Sequence, residues 1–243
     1  TYRGRYRRQS IGFMFRPDIY YNKDMTKKIT APVEEKDFIL SFITSTLDFC
    51  KQNKKGVLTA LGILVLAAVI GFAYSTHVKN VTEKSWASYY AAQVQVLGGN
   101  QEEGFKQIDA LNAAFPGSAA AQYAQLFKGD MLYASENFAQ AADVYKPLTT
   151  AANESVYTVA SLSLAASQQA AKDYKAAAEE MNKFISKNPK SFALPQAYFT
   201  LAMSQELAGN KTEALNAYKH LAENYAKTYF GSVAKDKMKE LQK

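Results

Sequence analysis

Reactive side chains are scarce in this chain of 243 residues: one cysteine, two histidines, and no arginine after Arg16. Cys50 alone forms no disulfide within the chain, and without further thiols it builds no thiolate zinc site. His77 and His220 lie far apart, and neither has a second histidine at metal-ligand spacing. Glu102-Glu103 and Glu179-Glu180 are adjacent pairs. On a helix, neighbours point in different directions, so both pairs read as solvated faces rather than acid/base couples. No glycine-rich phosphate loop is present, and Gly98-Gly99-Asn100 reads as a turn between helices. The expectation is a chain that is not an enzyme, with no metal site and no cofactor.

The net charge of +7 is unevenly placed. All five arginines, Arg3, Arg5, Arg7, Arg8 and Arg16, fall in the first sixteen residues, and residues 1–24 carry four of the seven net charges. Residues 77–243 hold 17 lysines against 16 acids, so the pI of 9.2 says little about them and gives no support to nucleic-acid binding. Thr1 to Asp24 reads as an upstream-translated or non-native tail, with Met25 opening the natural start Met-Thr-Lys-Lys. The other reading of residues 1–24 is a basic arm that touches anionic lipid or RNA.

What is present begins with an apolar run. Val57 to Tyr74 contains no charge and one modest polar side chain, Thr59. At ~1.5 Å per residue it spans about 27 Å, enough for the hydrocarbon core, and residues 56–76 are expected to form a single transmembrane helix. Lys51, Lys54 and Lys55 crowd its N-terminal edge. That excess holds the N-terminal side in the cytoplasm and puts residues 77–243 across the membrane, most simply from a bacterial inner membrane into the periplasm. A cleaved signal peptide ending near Ala73-x-Ser75 competes with this, but the segment before the run is longer than a usual n-region. A lipoprotein anchor needs a cysteine after the run, and Cys50 precedes it. Residues 25–55 form a cytoplasmic lead. Thr30-Ala31-Pro32 reads as flexible, and Glu34 to Gln52 as a short amphipathic helix with Phe38, Ile39, Phe42, Ile43, Leu47 and Cys50 in one stripe. The stripe suits the bilayer surface or another membrane protein, unless the segment simply continues the membrane helix.

Beyond the run, small residues recur every 36 to 37 positions. Gly104, Ala141, Ala177 and Ala214 form one ladder; Ala92, Gly129, Ala165 and Ala202 form a second, twelve positions ahead. Four residues after each member of the first ladder come Ile108, Tyr145, Met181 and Tyr218, and seven after come Leu111, Leu148, Phe184 and Leu221. A period of this length, with apolar residues at helical spacing, predicts stacked helix pairs that approach closely where side chains are short. Thr228 to Gln242 reads as one more amphipathic helix, whose polar face would end the stack.

The pattern resembles the tetratricopeptide repeat family. Tyr198-x2-Leu201-Ala202, Gly209-Asn210 and Ala214-x3-Tyr218-x2-Leu221 make up the fullest unit. Tyr174-x2-Ala177-x3-Met181-x2-Phe184 with Pro189, Phe138-x2-Ala141-x3-Tyr145-x2-Leu148, and Gly104-x3-Ile108-x2-Leu111 with Pro116 supply the others. Asn153 and Ala226 stand where units two and four would carry the family proline. The expected fold is all-α: one N-terminal transmembrane helix, then an α-solenoid of about four tetratricopeptide-like hairpins and a capping helix, over residues 77–243. The resemblance implies a concave groove lined by the first helix of each unit. Carried onto this chain, the partner-binding residues are Trp86, Tyr89 and Gln93; Tyr123, Leu126, Asp130 and Tyr133; Gln169; and Phe199, Met203 and Glu206, with Val96, Val159, Leu162, Ala166 and Gln196 at the remaining groove positions. Their mix is aromatic and aliphatic with few charges, which suits an apolar or extended peptide.

A lead helix, one anchor and Trp86-Ala-Ser-Tyr-Tyr-Ala-Ala92 before the repeats are together similar to the YfgM-type ancillary subunits of the bacterial Sec translocon. That resemblance implies partners among translocon subunits, periplasmic chaperones and emerging envelope proteins. The alternative is an envelope-assembly scaffold serving the outer membrane or the cell wall.

Overall fold

The computed structural model describes residues 35–242, and these are helical apart from short turns. The expectations for the tail 1–24 and the flexible Thr30-Ala31-Pro32 lie outside the described residues. The chain divides into two compact units, one ending at Val69 and one beginning at Ile70.

Helix α1 (Glu35–Gln52) is followed at Lys54 by helix α2 (Lys54–Leu97), and the boundary between the units falls within α2. Asn53 is a turn residue between them. Its backbone N–H donates to the carbonyl of Phe49, and its own carbonyl accepts from the N–H of Val57. The apolar side chains Phe38, Phe42, Leu47 and Phe49 of α1 are all exposed. So is the whole run from Leu58 to Phe72. Among the described residues α2 is the one helix long and apolar enough to cross a membrane, and none of its most apolar stretch is buried.

The second unit is a stack of hairpins. The C-terminal part of α2 pairs with α3 (Gln101–Ala114), α4 (Ala119–Ala134) with α5 (Phe138–Tyr145), α6 (Glu154–Ala170) with α7 (Tyr174–Lys187), and α8 (Leu194–Leu207) with α9 (Lys211–Asn224). Helix α10 (Tyr229–Leu241) closes the stack on α8 and α9, with Thr228 capping its N-terminus through a bond from the Gly231 N–H. Both small-residue ladders are buried throughout, together with Ile108, Tyr145, Met181, Tyr218, Leu111, Leu148, Phe184 and Leu221. The ladders mark where two helices of a hairpin touch. At Gly104 an added Cβ would collide with Val96 and the α2 backbone.

Each hairpin turns through one repeated device. Gly99, Glu136, Lys172 and Gly209 stand at equivalent places, and all four have positive φ, between 61° and 92°. The residue after each, Asn100, Asn137, Asp173 or Asn210, opens the second helix as its N-cap. Its N–H donates back to the carbonyl of Gln95, Leu132, Gln168 or Gln205, at 2.8–2.9 Å. This is the left-handed helix stop that glycine favours, and two units make it without glycine. Gly-Asn pairs announce it in sequence only in units one and four.

Unit two ends differently from the others. Pro147 cannot donate a backbone hydrogen bond and its ring crowds the preceding turn, so α5 stops at Tyr145 and the chain continues as a 3-10 turn over Lys146–Thr150. Asn153, standing at the family's proline position, instead starts α6: its side-chain oxygen accepts from the N–H groups of Ser155 and Val156. Of the paired glutamates, Glu102 is exposed beside Lys106 and Glu179 beside Lys175. Glu180 departs from the expected solvated face, its side chain only 10% exposed and 3.6 Å from Lys183.

Candidate partner-binding groove

The expected groove residues lie on the first helices of the hairpins, and their surroundings differ along the stack. At the N-terminal end an aromatic patch joins α2 to α4. Trp86 lies 5.7 Å from Tyr89, 5.9 Å from Tyr90 and 5.9 Å from Tyr123, measured between ring centres, and Tyr89 meets Phe127 edge-on at 6.4 Å. Tyr90 and Tyr123 are 56% and 39% exposed, so the patch is open to solvent. Beside it lies an open cavity of about 350 Å³, lined by Tyr74, His77, Val78, Ser85, Trp86 and the start of α4.

One turn further along, Gln93 donates to the Tyr89 hydroxyl at 3.4 Å. On α4, Tyr123, Asp130 and Tyr133 are exposed. The buried Tyr145 of α5 donates its hydroxyl to Asp130 Oδ1 at 2.5 Å, fixing the carboxylate from below. Burial first, then this hydrogen bond and the Asp130 charge, push the Tyr145 phenol far above the ordinary tyrosine range. Burial, the neighbouring Tyr90 and the Asp130 charge raise Tyr89 as well.

Other expected contacts are committed elsewhere. Leu126 is 7% exposed and belongs to a core cluster with Leu132, Tyr145 and Leu164, so it supports the groove floor rather than lining it. Gln169 donates to Ser204 Oγ at 3.0 Å and bridges α6 to α8. Glu206 accepts from the Tyr218 hydroxyl at 2.7 Å and from Lys237 of α10 at 3.1 Å, which ties the closing helix down. Phe199 is half-buried against Phe230 at 5.4 Å, and Met203 is also half-buried. Of the expected positions, Tyr123, Asp130, Tyr133, Val159 and Gln196 are exposed; Trp86, Tyr89, Gln93, Leu162, Ala166, Gln169, Phe199, Met203 and Glu206 are half-buried; and Val96 is buried like Leu126. Sequence reasoning passed over Tyr90 and Tyr145, one outside the groove positions and the other counted only as core.

A stack of helix hairpins carrying an exposed aromatic patch is a repeat scaffold, of the kind that binds proteins or peptides. Residues 48–194 match the model of the tetratricopeptide repeat-like domain, and residues 196–228 match a tetratricopeptide repeat. The chain belongs to the tetratricopeptide repeat-like domain family. No curated protein matches it. A crystal structure of nearly identical TPR-like repeats from Podosopora anserina superposes with a TM-score of 0.49 at 12% identity, over 64% of this chain and 83% of that one.

Proposed function

We propose that this chain is a single-pass inner-membrane protein with its N-terminus in the cytoplasm and its repeats in the bacterial periplasm. In this reading it acts without catalysis, as an ancillary translocon subunit of the YfgM type that links secretion to periplasmic chaperones. Helix α2 carries the proposal: its apolar run is uncovered among the described residues, and the same helix supplies Trp86, Tyr89 and Gln93 to the groove. Exposing such a run to water costs about 25 cal/mol per Å² of apolar surface, a cost that lipid removes. Lys51, Lys54 and Lys55 at its N-terminal edge favour the cytoplasm for that side. A tethered groove meets emerging chains at raised local concentration, so individual contacts can be weak and still effective.

The test is photo-crosslinking in cells from a reactive residue placed at Tyr123 or Tyr133. Capture of translocon subunits, periplasmic chaperones or emerging envelope proteins supports the proposal. Capture confined to cell-wall enzymes or outer-membrane assembly factors would replace it with an envelope-assembly scaffold.

A further inference from the structure

We propose that Asp130 and the tyrosines around it form a subsite for one basic side chain, lysine or arginine, of the polypeptide in the groove. The inference rests on the peptide-binding reading above and names what that groove selects.

Two other carboxylates of the repeat stack are already paired. Asp109 is paired with Lys128 at 2.6 Å, and Glu206 with Lys237 at 3.1 Å. Asp130 is exposed, and among the described residues it has no ion-pair partner. Its Oδ1 is held by the buried Tyr145 hydroxyl, while Oδ2 accepts nothing from the described residues. The carboxylate is thus positioned in advance, which lowers the ordering cost of binding. Tyr133 lies one helical turn along the same helix face and is 40% exposed. Tyr89 lies close enough for the Asp130 charge to shift its phenol. A lysine or arginine stem can lie along a tyrosine ring while its head reaches a carboxylate, combining a charge-assisted hydrogen bond with a cation–π contact. A divalent cation fits poorly, because it needs several oxygen ligands and this place offers one carboxylate.

The experiment uses the purified full chain in nanodiscs and fluorescence anisotropy with two probes. One is an apolar peptide, blocked at both ends, with a single central lysine; the other carries norleucine in its place. The blocked ends remove any contribution from a terminal amine. The lysine peptide should bind about tenfold more tightly. Asp130→Asn keeps an oxygen for the Tyr145 hydroxyl, so the variant should still fold, as checked by a cooperative melting transition, while cutting the lysine-over-norleucine preference to less than about twofold. Equal affinities for the two peptides, or a preference that survives in Asp130→Asn, would overturn the subsite and leave the peptide groove standing. Failure of both peptides to bind would remove the groove reading and this inference with it.

Discussion

Tyr145 lies directly over Gly129: a Cβ added to that glycine would stand 2.5 Å from the ring carbons Cε1 and Cζ. The ring crosses the glycine and its hydroxyl reaches the next residue, Asp130. Unit four has the same tyrosine, Tyr218, but Ala202 in place of the glycine, and there the hydroxyl reaches Glu206 instead. In unit two, close approach of a glycine backbone thus goes with a tyrosine hydroxyl bonded to the residue that follows it.

Gly129→Ala should therefore destabilise the repeat domain by about 1–3 kcal/mol, measured by chemical denaturation of the detergent-solubilised chain. Tyr145→Phe keeps the ring and should not relieve the cost. In a Tyr145→Leu background the same change should cost less, by about 1 kcal/mol or more. Equal costs in both backgrounds would mean that the ring is not what excludes the methyl group.

The hairpin turns give a prediction of the opposite sign. Glu136 and Lys172 hold left-handed conformations, which cost an ordinary residue roughly 1–2 kcal/mol. Replacing either by glycine removes that strain but adds about 0.5–1 kcal/mol of unfolded-state entropy. Glu136→Gly and Lys172→Gly should each stabilise the domain by about 0.5–1 kcal/mol, and Gly209→Ala should cost about 1 kcal/mol. A shift of the denaturation midpoint to lower denaturant for both glycine variants would contradict this account.

Alkaline pH should weaken the fold. Burial and the carboxylates beside them, Asp130 and Glu206, raise the phenols of Tyr145 and Tyr218. An unfolded tyrosine ionises near about pH 10, so above that pH the unfolded chain gives up protons that the folded chain keeps. The folded state then binds more protons, and stability falls as pH rises. Below about pH 10 the contribution is fully present. The double variant Tyr145→Phe, Tyr218→Phe should show a flatter loss of stability between pH 9 and 11 (about the tyrosine range) than the parent chain. An unchanged slope would show that these phenols ionise freely in the folded protein.

Membrane topology is tested with two thiols. Lys190→Cys, at an exposed turn between α7 and α8, should react with a membrane-impermeant reagent once the outer membrane is permeabilised. Cys50 should react only after the inner membrane is opened. The reverse pattern, or a mature chain beginning near Thr76, would contradict the proposed anchor.

The repeat architecture was legible because it rests on spacing along one chain. Small residues every 36 to 37 positions, with large apolar ones four and seven later, mark the helix contacts wherever the hairpins end up, and all of them are buried. The turns were half legible. Glycine advertises a left-handed residue at Gly99 and Gly209, whereas Glu136 and Lys172 take the same conformation under constraint from the helices on either side.

Which groove positions remain free was not legible. The family resemblance assigns Leu126, Gln169 and Glu206 to the groove alongside Tyr123, Asp130 and Tyr133. Only the folded chain brings Ser204 to Gln169 from 35 residues away and Lys237 to Glu206 from 31, so that both side chains are engaged within the stack. Helical periodicity assigns a side chain to a face. Whether another side chain already occupies the space above it depends on contacts between elements distant in sequence, and those form only when the hairpins stack.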